Sequence, residues 1–285
     1  MFPAQSAAPP SAPDNDLGAG VEALRELLHR GNVTVLSGAG LSTESGIPDY
    51  RGPTGAQRRH APMQYQAFIH DPAARHRYWA RSYLGWRQIA SARPNRGHRA
   101  VAQWQSRGWV RAVITQNVDG LHQEAGARDV VELHGGLDRV VCLSCGARVL
   151  RAEVDARLRA ANPHFDAHVE HINPDGDADL DDTDLDSFVM IECPRCGAGP
   201  LKPDVVFFGE NVPRERVEHC FTQVQASSAL LVLGSSLTVM SGFRFARRAA
   251  TLGIPVAIVN QGPTRADDLA HLHLNAALGV VLPEL

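Results

Sequence analysis

Directly after the apolar run Val33-Thr34-Val35-Leu36 comes the glycine-rich stretch Gly38-Ala39-Gly40-Leu41-Ser42-Thr43-Glu44-Ser45-Gly46-Ile47-Pro48-Asp49-Tyr50-Arg51. An apolar run that is rich in β-branched residues is typical of a buried strand. Gly38 and Gly40 allow the backbone to turn tightly and to approach a ligand closely. Pyrophosphate groups bind at such turns, at the carboxyl end of a strand. The stretch therefore predicts the first strand and the phosphate loop of a nucleotide-binding α/β fold.

The glycine spacing differs from that of dinucleotide-binding dehydrogenases. Their G-x-G-x-x-G pattern would need glycine at position 43, where this chain has Thr43, and the next glycine is Gly46. Residues 47–51 instead place a carboxylate, an aromatic ring and a guanidinium in one loop, and loops with such mixtures often carry function. From these residues alone, a functional loop and an ordinary strand–turn–helix with a solvated acidic cap both stay open.

Length and composition indicate a globular protein of enzyme size. The chain has 285 residues, of which 44% are hydrophobic, enough for one large domain and a small one. Its Pro/Ala/Ser-rich start contains no Lys or Arg, so we interpret residues 1–19 as a disordered tail rather than a signal or transit peptide. No apolar run approaches the roughly 20 residues of a membrane span, and we expect no membrane partner.

The formal net charge of −3 conceals an uneven distribution. Residues 166–186 hold nine carboxylates, and no Lys or Arg occurs between Arg159 and Arg195. Without that segment the chain has 28 basic and 22 acidic side chains, a balance of +6. Such a mildly cationic body suits an anionic dinucleotide, and the sequence lacks the basic stripe with interleaved aromatics that is typical of nucleic-acid binding. We therefore expect no nucleic-acid partner.

Segments with strand and helix patterns alternate along the chain, as in a parallel α/β sheet. Further strands are predicted at residues 111–115, 130–133, 205–208, 229–233 and 255–259, and helices at 21–29, within 61–92 (two or three) and at 243–252. Each strand ends in polar or glycine-rich residues. Because the carboxyl ends of parallel strands share one edge of the sheet, we expect these ends to converge on one ligand crevice.

Four of the five cysteines form two C-x-x-C pairs, Cys142 with Cys145 and Cys193 with Cys196. In a chain without an export signal this pattern favours metal binding over disulfides and indicates a reducing, cytoplasmic compartment. The segment between the pairs interrupts the α/β alternation, so we interpret it as an inserted module. The fifth cysteine, Cys220, is expected to be buried in a helix.

Five motifs in this order resemble those of the sirtuins, the NAD-dependent protein lysine deacylases. They are the glycine-rich stretch at 38–51, Thr-Gln-Asn-Val-Asp-Gly-Leu-His at 115–122, Glu-Leu-His-Gly at 132–135, the paired C-x-x-C, and Gly-Ser-Ser-Leu at 234–237. The Pro-Asp-Tyr-Arg sequence at 48–51, the run at 202–209 and Gly-Pro-Thr-Arg at 262–265 are most similar to the class II branch. The resemblance covers about residues 20–285.

The resemblance implies a Rossmann-like parallel sheet with an inserted small zinc-binding domain and a helical module. The expected division is a disordered tail at 1–19, a Rossmann-like NAD-binding domain formed by 20–60, 98–140 and 201–285, a helical module at 61–97, and a zinc-binding small domain at 141–200 with an acidic insertion at 164–187.

The implied reaction transfers the acyl group of acyl-lysine in a protein to the ADP-ribose part of NAD and releases nicotinamide. The acyl oxygen attacks the ribose carbon that bears nicotinamide, and a ribose hydroxyl then attacks the resulting imidate. Two alternatives stay open: a protein ADP-ribosyltransferase or lipoamidase that uses the same pocket, and a non-catalytic NAD-sensing interaction module. A retained general base argues against the sensor, since binding alone needs no base.

By the same resemblance, His134 is the general base and Asn117 the second catalytic residue. Imidazole suits this role because its ordinary pKa of about 6.5 leaves much of it neutral. Val205, Phe207 and Gly209 are expected to contact the acyl-lysine. The residues expected to hold NAD are Gly38, Ala39, Gly40, Ser42, Ile47, Pro48, Asp49, Tyr50, Arg51, Gln57, Gln116, Asn117, Val118, Asp119, Gly234, Ser235, Ser236, Asn260, Gln261, Gly262 and Leu278.

The two cysteine pairs match a tetrathiolate zinc site, whose closed coordination implies a structural role. A redox disulfide is the alternative. The acidic insertion contains a stretch at 175–186 that is similar to a calcium loop, but Leu180 and Asp186 stand where glycine and glutamate are expected. We therefore favour a solvated acidic loop over a calcium site.

Tyr78 and Arg81 lie three residues apart in the predicted helical module. They resemble the pair with which sirtuins specialised for acidic acyl groups hold a distal carboxylate, a task that a guanidinium and a phenol suit. The alternative, which we favour, is that Tyr78 packs against the core and Arg81 is solvated.

Overall fold

The computed structural model describes residues 15–50, 62–165, 171–173, 176–179, 185 and 187–285. Most of the predicted tail, Arg51, Gln57 and most of the acidic insertion lie outside the described residues. The helices are α1 (Asn15–His29), α2 (Tyr65–His70), α3 (Pro72–Ser91), α4 (Arg96–Ser106), α5 (Leu121–Glu124), α6 (Arg151–Ala161), α7 (Arg214–Gln225), α8 (Met240–Thr251) and α9 (Leu278–Val281). The strands are β1 (Val33–Ser37), β2 (Val110–Thr115), β3 (Val130–Glu132), β4 (Gly135–Cys142), β5 (Arg148–Leu150), β6 (His171–Ile172), β7 (Ala178–Asp179), β8 (Leu201–Val205), β9 (Ala229–Leu233), β10 (Val256–Val259) and β11 (Leu272–Leu274).

Within the described residues, six strands form one parallel sheet in the order β11-β10-β9-β1-β2-β3. β1 lies inside this sheet, with all five of its residues buried, and pairs in parallel with both β2 and β9. Its apolar, β-branched sequence suits a strand that is covered on both faces. The predicted parallel α/β sheet is confirmed, and β11 is an additional edge strand that the sequence pattern did not indicate.

Helices cover both faces of this sheet. On one face, Val224 of α7 and Phe245 of α8 pack against the apolar side chains of β9 and β10. On the other face, Leu24 of α1 and Trp104 of α4 do the same. The predicted helices at 21–29 and 243–252 are confirmed, and Cys220 is buried on α7 as expected. The bounds of the predicted tail are wrong at their end, because α1 begins at Asn15 and residues 15–19 form its first turns. In the described part of the chain, no helix combines the length and the apolar character that a membrane crossing requires.

The prediction that residues 205–208 form a strand of the parallel sheet is wrong. β8 ends at Val205 and pairs antiparallel with β4, which also pairs antiparallel with β5 in a separate three-stranded sheet. The apolar character beyond Val205 has another cause, since the ring of Phe207 packs against Phe68 at 5.1 Å and Tyr78 at 5.2 Å between centroids. An apolar run alone does not reveal which surface buries it.

The helical module consists of α2 and α3, as predicted for residues 61–92. Asp71 caps α3, because its carboxylate accepts a hydrogen bond from the backbone N–H of Ala73 at 2.8 Å and Pro72 occupies the first turn. The indole N–H of Trp79 donates to the carbonyl of Leu201 on β8 at 2.8 Å. The helical module and the three-stranded sheet of β4, β5 and β8 therefore share one apolar core.

Two buried histidines lie behind the carboxyl end of β1. The rings of His98 and His122 meet edge to face at 5.2 Å between centroids. Nε2 of His122 lies 2.9 Å from the hydroxyl of Ser37, and Nε2 of His98 lies 3.4 Å from that of Ser42. Burial lowers the pKa of His98 to about 4, with Arg99 adding to the shift, and burial and then His98 lower the pKa of His122 to about 3.

Stability is expected to fall as the pH decreases from about 6.5 toward about 4, because the unfolded chain then binds protons at His98 and His122 while the folded chain does not. Each histidine contributes at most about 1.4 kcal/mol per pH unit in this window. In His122→Gln, the slope of the free energy of unfolding against pH should decrease by one histidine's share. Urea unfolding curves recorded from pH 4.5 to pH 7, in steps of about half a pH unit, measure this slope.

His219→Gln is the matched control, since His219 is exposed on α7. Its slope should equal that of the wild type. Equal slopes for His122→Gln and the wild type would contradict the role given to the buried ring.

Candidate active site

A cleft of about 770 Å³ lies at the carboxyl edge of the parallel sheet. As predicted for a parallel sheet, the segments after β1, β2, β3, β9 and β10 all reach it, and the loop after β8 forms the opposite wall. The predicted site residues that line the cleft are Gly38, Ala39, Gly40, Ser42, Ile47, Asp49, Tyr50, Gln116, Asn117, Val118, Asp119, His134, Val205, Phe207, Gly209, Gly234, Ser235, Ser236, Asn260, Gln261 and Gly262.

The floor of the cleft is a contact between two backbone turns. The N–H of Gly40 donates to the carbonyl of Gly234 at 2.9 Å, and the N–H of Gly38 donates to that of Leu233 at 2.9 Å. A Cβ on Gly40 would lie 2.9 Å from the Gly234 carbonyl oxygen, and one on Gly234 would lie 2.6 Å from the backbone nitrogen of Leu41. Glycine is required on both sides because neither turn has room for a side chain.

A hydrogen-bonded chain of polar side chains forms one wall. The carboxamide nitrogen of Asn117 donates to the Gly38 carbonyl and to the Ser42 hydroxyl, both at 3.0 Å. The Ser42 hydroxyl donates to the Asp119 carboxylate at 2.7 Å, and that carboxylate also accepts from the backbone N–H of Leu121 at 2.9 Å. Burial raises the pKa of Asp119, against the opposing effect of these hydrogen bonds. The chain fixes the orientation of all three side chains.

His134 is held at both ring nitrogens. Nδ1 lies 2.9 Å from the carbonyl oxygen of Gln116, which only accepts, so Nδ1 carries the proton. Nε2 lies 2.8 Å from the hydroxyl of Ser241, which donates to it. Burial lowers the pKa of His134, and the charges of Arg216 and Arg244 act in the same direction against the Gln116 hydrogen bond. The ring is therefore neutral at physiological pH, with its basic nitrogen in the cleft.

The start of α8 holds both His134 and its partner Gln116. A Cβ on Gly242 would lie 2.5 Å from the side-chain oxygen of Gln116, so the glycine admits that carboxamide. The same carboxamide donates to the Ser235 hydroxyl at 2.7 Å. Sequence reasoning missed Ser241 and Arg244, which also line the cleft. Both residues lie at the start of the predicted helix, just after the Gly-Ser-Ser turn, and this position could have indicated that they face the cleft.

Four predicted site residues lie elsewhere among the described residues. Pro48 and Leu278 do not line the cleft, and Leu278 instead packs over the backbone of Gly234. Tyr78 is buried behind Phe207 rather than at the surface of the wall.

Arg81 is also absent from the lining of the cleft, and the interpretation that it is solvated is wrong. Its guanidinium is buried and forms a two-pronged ion pair with Asp177, at 2.8 and 3.2 Å. An acyl carboxylate would have to compete with Asp177 for this group. Asp177 also occupies the third position of the stretch compared with a calcium loop, and the rest of that stretch lies largely outside the described residues.

The four cysteines of the C-x-x-C pairs form one cluster, with all sulfurs within 4.8 Å of one another. Sγ of Cys142 lies 3.7 Å from that of Cys196, and Sγ of Cys145 lies 3.9 Å from that of Cys193. A tetrahedral site with Zn–S bonds of about 2.3 Å has sulfur–sulfur edges of about 3.8 Å, so the cluster fits zinc. The sulfurs are too far apart for disulfides. The four residues are thus positioned to bind a structural metal.

The parallel sheet, the cleft at its carboxyl edge and the cysteine cluster define a Rossmann-like α/β protein with an attached metal-binding module. A family model described as the Sir2 family matches residues 38–241, and the chain belongs to this family. The resemblance to the sirtuins is confirmed by this match, which does not specify a branch of the family.

Relatives and solved structures agree with this assignment. The chain is 60% identical over 257 residues to "NAD-dependent protein deacetylase 1" of Streptomyces coelicolor, covering 90% of this chain and 86% of the relative. It is 52% identical over 262 residues to "NAD-dependent protein deacetylase" of Xanthomonas campestris pv. campestris, covering 91% and 89%. The structure "Sir2-p53 peptide-NAD+" is similar with a TM-score of 0.73 at 29% identity, covering 92% of this chain and 95% of that chain.

Cys193→Ser is expected to release the metal and to lower the midpoint of thermal unfolding, because metal binding at such a site is coupled to folding. Elemental analysis should give about one zinc per wild-type chain and much less in the variant. Cys220→Ser serves as the matched control and should keep its zinc, since Cys220 lies outside the cluster. A wild-type protein without zinc would contradict the assignment of a tetrathiolate site.

Proposed function

We propose that the protein is an NAD-dependent protein lysine deacetylase, which transfers the acetyl group of acetyl-lysine to ADP-ribose and releases nicotinamide. The observation that carries the proposal is the neutral His134, held at Nδ1 by Gln116 and presenting Nε2 to the cleft. The names of the relatives, NAD-dependent protein deacetylases at 50–60% identity, support the same activity. Binding of NAD without turnover would not need a base in this position.

NAD is the co-substrate in this proposal, and the residues of the cleft suit its parts. The N–H groups of Gly38, Gly40 and Gly234 donate to carbonyl oxygens within the fold, so the backbone N–H groups of Ala39 and Ser235, with the hydroxyls of Ser235 and Ser236, would hold the phosphates. Asn260, Gln261 and Gly262 follow β10 and would hydrogen-bond the adenosine ribose. Among the remaining residues proposed for NAD, Arg51 and Gln57 stay predictions from the sequence.

Asn117 and Asp119 would orient the nicotinamide half of NAD. Both side chains are fixed by the Ser42 hydroxyl and lie half-buried in the same wall of the cleft. An amide and a carboxylate provide acceptors and donors for a carboxamide and for sugar hydroxyls, whereas an apolar wall would not. Holding the ribose carbon beside the acetyl oxygen supplies part of the rate enhancement through proximity and orientation.

His134 would accept the proton of a ribose hydroxyl at Nε2. The hydroxyl oxygen then attacks the carbon of the imidate, the O–H bond breaks, and the N–H bond at Nε2 forms. The Ser241 hydroxyl must leave Nε2 as the sugar hydroxyl arrives. Because burial lowers the pKa of His134, the ring is unprotonated and ready to act as a base across the physiological pH range.

The proposed acyl-lysine wall is the loop after β8, with Val205, Phe207 and Gly209. Its aromatic and aliphatic surface would exclude water from the reacting carbon. A similar solved structure, at 28% identity and a TM-score of 0.73, is described as "Sir2 bound to acetylated peptide", which supports an acetylated peptide as the ligand. We therefore infer acetylated proteins as the substrates.

Further parts of the proposal rest on the sequence. These are the class II branch, the cytoplasmic location and the domain division at residues 61–97 and 141–200. A protein ADP-ribosyltransferase or lipoamidase activity in the same pocket is the alternative. It would use the same NAD contacts and differ in which nucleophile reaches the ribose carbon.

His134→Ala should lower the rate of deacetylation at least about 100-fold, because general-base catalysis contributes factors of this size. Binding of NAD should change little, since the ring acts after the cofactor is in place. Formation of the deacetylated peptide from NAD and an acetyl-lysine peptide measures the rate, because nicotinamide leaves before the step assigned to His134, and calorimetry measures NAD binding. His219→Ala, an exposed histidine on α7, is the control and should match the wild type. Retention of more than about a tenth of the rate would rule out His134 as the base.

A further inference from the structure

Lys202 on β8 is a buried cation that no step above uses. Only 3% of the residue is exposed. Its ammonium lies 2.9 Å from the carboxylate of Glu210 and donates to the carbonyl oxygen of Val205. A third, longer contact of 3.5 Å reaches the carbonyl of Pro203. All three acceptors belong to the segment that leads from β8 into the wall of the cleft.

Glu210 closes the same loop from its other end. Its carboxylate accepts a hydrogen bond from the backbone N–H of Phe207 at 2.9 Å, while its own N–H donates to the Phe207 carbonyl at 3.0 Å. The carboxylate oxygen that binds Lys202 is the one that binds Phe207. Lys202, Glu210 and the backbone at 205–207 therefore form one closed hydrogen-bonded unit.

The ammonium also lies beneath the aromatic wall. It is 4.5 Å from the centroid of the Phe207 ring and 5.8 Å from that of Tyr65. Tyr65 is itself tied to the loop, because its backbone N–H donates to the carbonyl of Phe208 at 2.9 Å. A cation at these distances from two ring faces is attracted to both. The position of Phe207 is thus fixed through its backbone and through its ring.

We propose that Lys202 and Glu210 are positioning residues that set the acyl-lysine wall at Val205, Phe207 and Gly209 in its binding geometry. The inference rests on the proposed deacetylase function. Neither side chain needs to touch the acetyl group, because the pair acts through the loop that does.

A purely structural role explains the pair less well. Replacing a buried ion pair by uncharged groups of similar size is often neutral or stabilising, so an ion pair is not an efficient way to hold a fold together. The ammonium fixes the orientation of its acceptors, because it binds one carboxylate and two backbone carbonyls of the same segment at a single point. Apolar contacts could fill that space but could not fix the carbonyls in this way.

The test is a comparison of the Michaelis constants for the two substrates in Lys202→Met/Glu210→Gln. This double variant leaves no charge unpaired, and the glutamine oxygen can still accept from Phe207. The KM for an acetyl-lysine peptide should rise about tenfold, the effect expected for loss of a charge-assisted hydrogen bond. The KM for NAD should stay within about twofold, because the NAD contacts lie on the parallel sheet side of the cleft. Thermal unfolding of the double variant should resemble that of the wild type.

Arg148→Gln is the matched control. It removes the exposed ion pair between Arg148 and Asp204, which lies on the same segment but faces away from the cleft wall at 66% exposure of the arginine side chain. Its two KM values should equal those of the wild type. Glu210→Gln alone, which leaves Lys202 unpaired, should lower thermal stability and raise the peptide KM.

Three outcomes decide the matter. A selective rise in the peptide KM supports the positioning role. An unchanged peptide KM in the folded double variant, or an equal rise for peptide and NAD, overturns it while leaving the deacetylase function intact. A wild-type protein that does not turn over acetyl-lysine peptides with NAD overturns the proposed function itself, and the inference with it.

Discussion

The site depends on the contact between the turn at Gly38–Gly40 and the turn at Gly234. These turns follow two neighbouring strands, and their backbones approach so closely that a Cβ on either side would clash. The contact places backbone N–H groups of both turns at one floor of the cleft. It also brings the Gly38 carbonyl to Asn117, whose carboxamide donates to it. From that point the hydrogen bonds continue through Ser42 to Asp119, so the polar wall is built outward from the glycine contact.

Burial then gives the polar residues their chemical character. Nδ1 of His134 faces a carbonyl and its Nε2 a hydroxyl, so the ring is kept neutral and in one tautomer. Asp119 lies half-buried beside Ser42, and its partial loss of water raises its pKa. On the opposite wall a buried ammonium, Lys202, organises a loop without touching the floor. The two walls come from different sheets, and in the proposed function one holds the dinucleotide and the other the peptide.

Much of this arrangement could be predicted from the sequence, because it depends on local patterns. The run at Val33–Ser37 and the glycines after it gave the central strand and its turn, and the spacing of the cysteines gave the cluster. The rest depends on contacts between distant segments. The run at 205–208 looked like a core strand, although its apolar residues pack on the helical module. Arg81 looked solvated, although Asp177, 96 residues away along the chain, pairs with it.

The identity of the products tests the account most directly. NAD and an acetyl-lysine peptide should yield nicotinamide, deacetylated peptide and O-acetyl-ADP-ribose in equal amounts, as measured by mass spectrometry of a single reaction over time. Equal amounts would show that one NAD is consumed for each acetyl group removed and that the acetyl group ends on the sugar. A peptide that keeps its acetyl group and gains ADP-ribose, or NAD that stays unconsumed, would contradict the account.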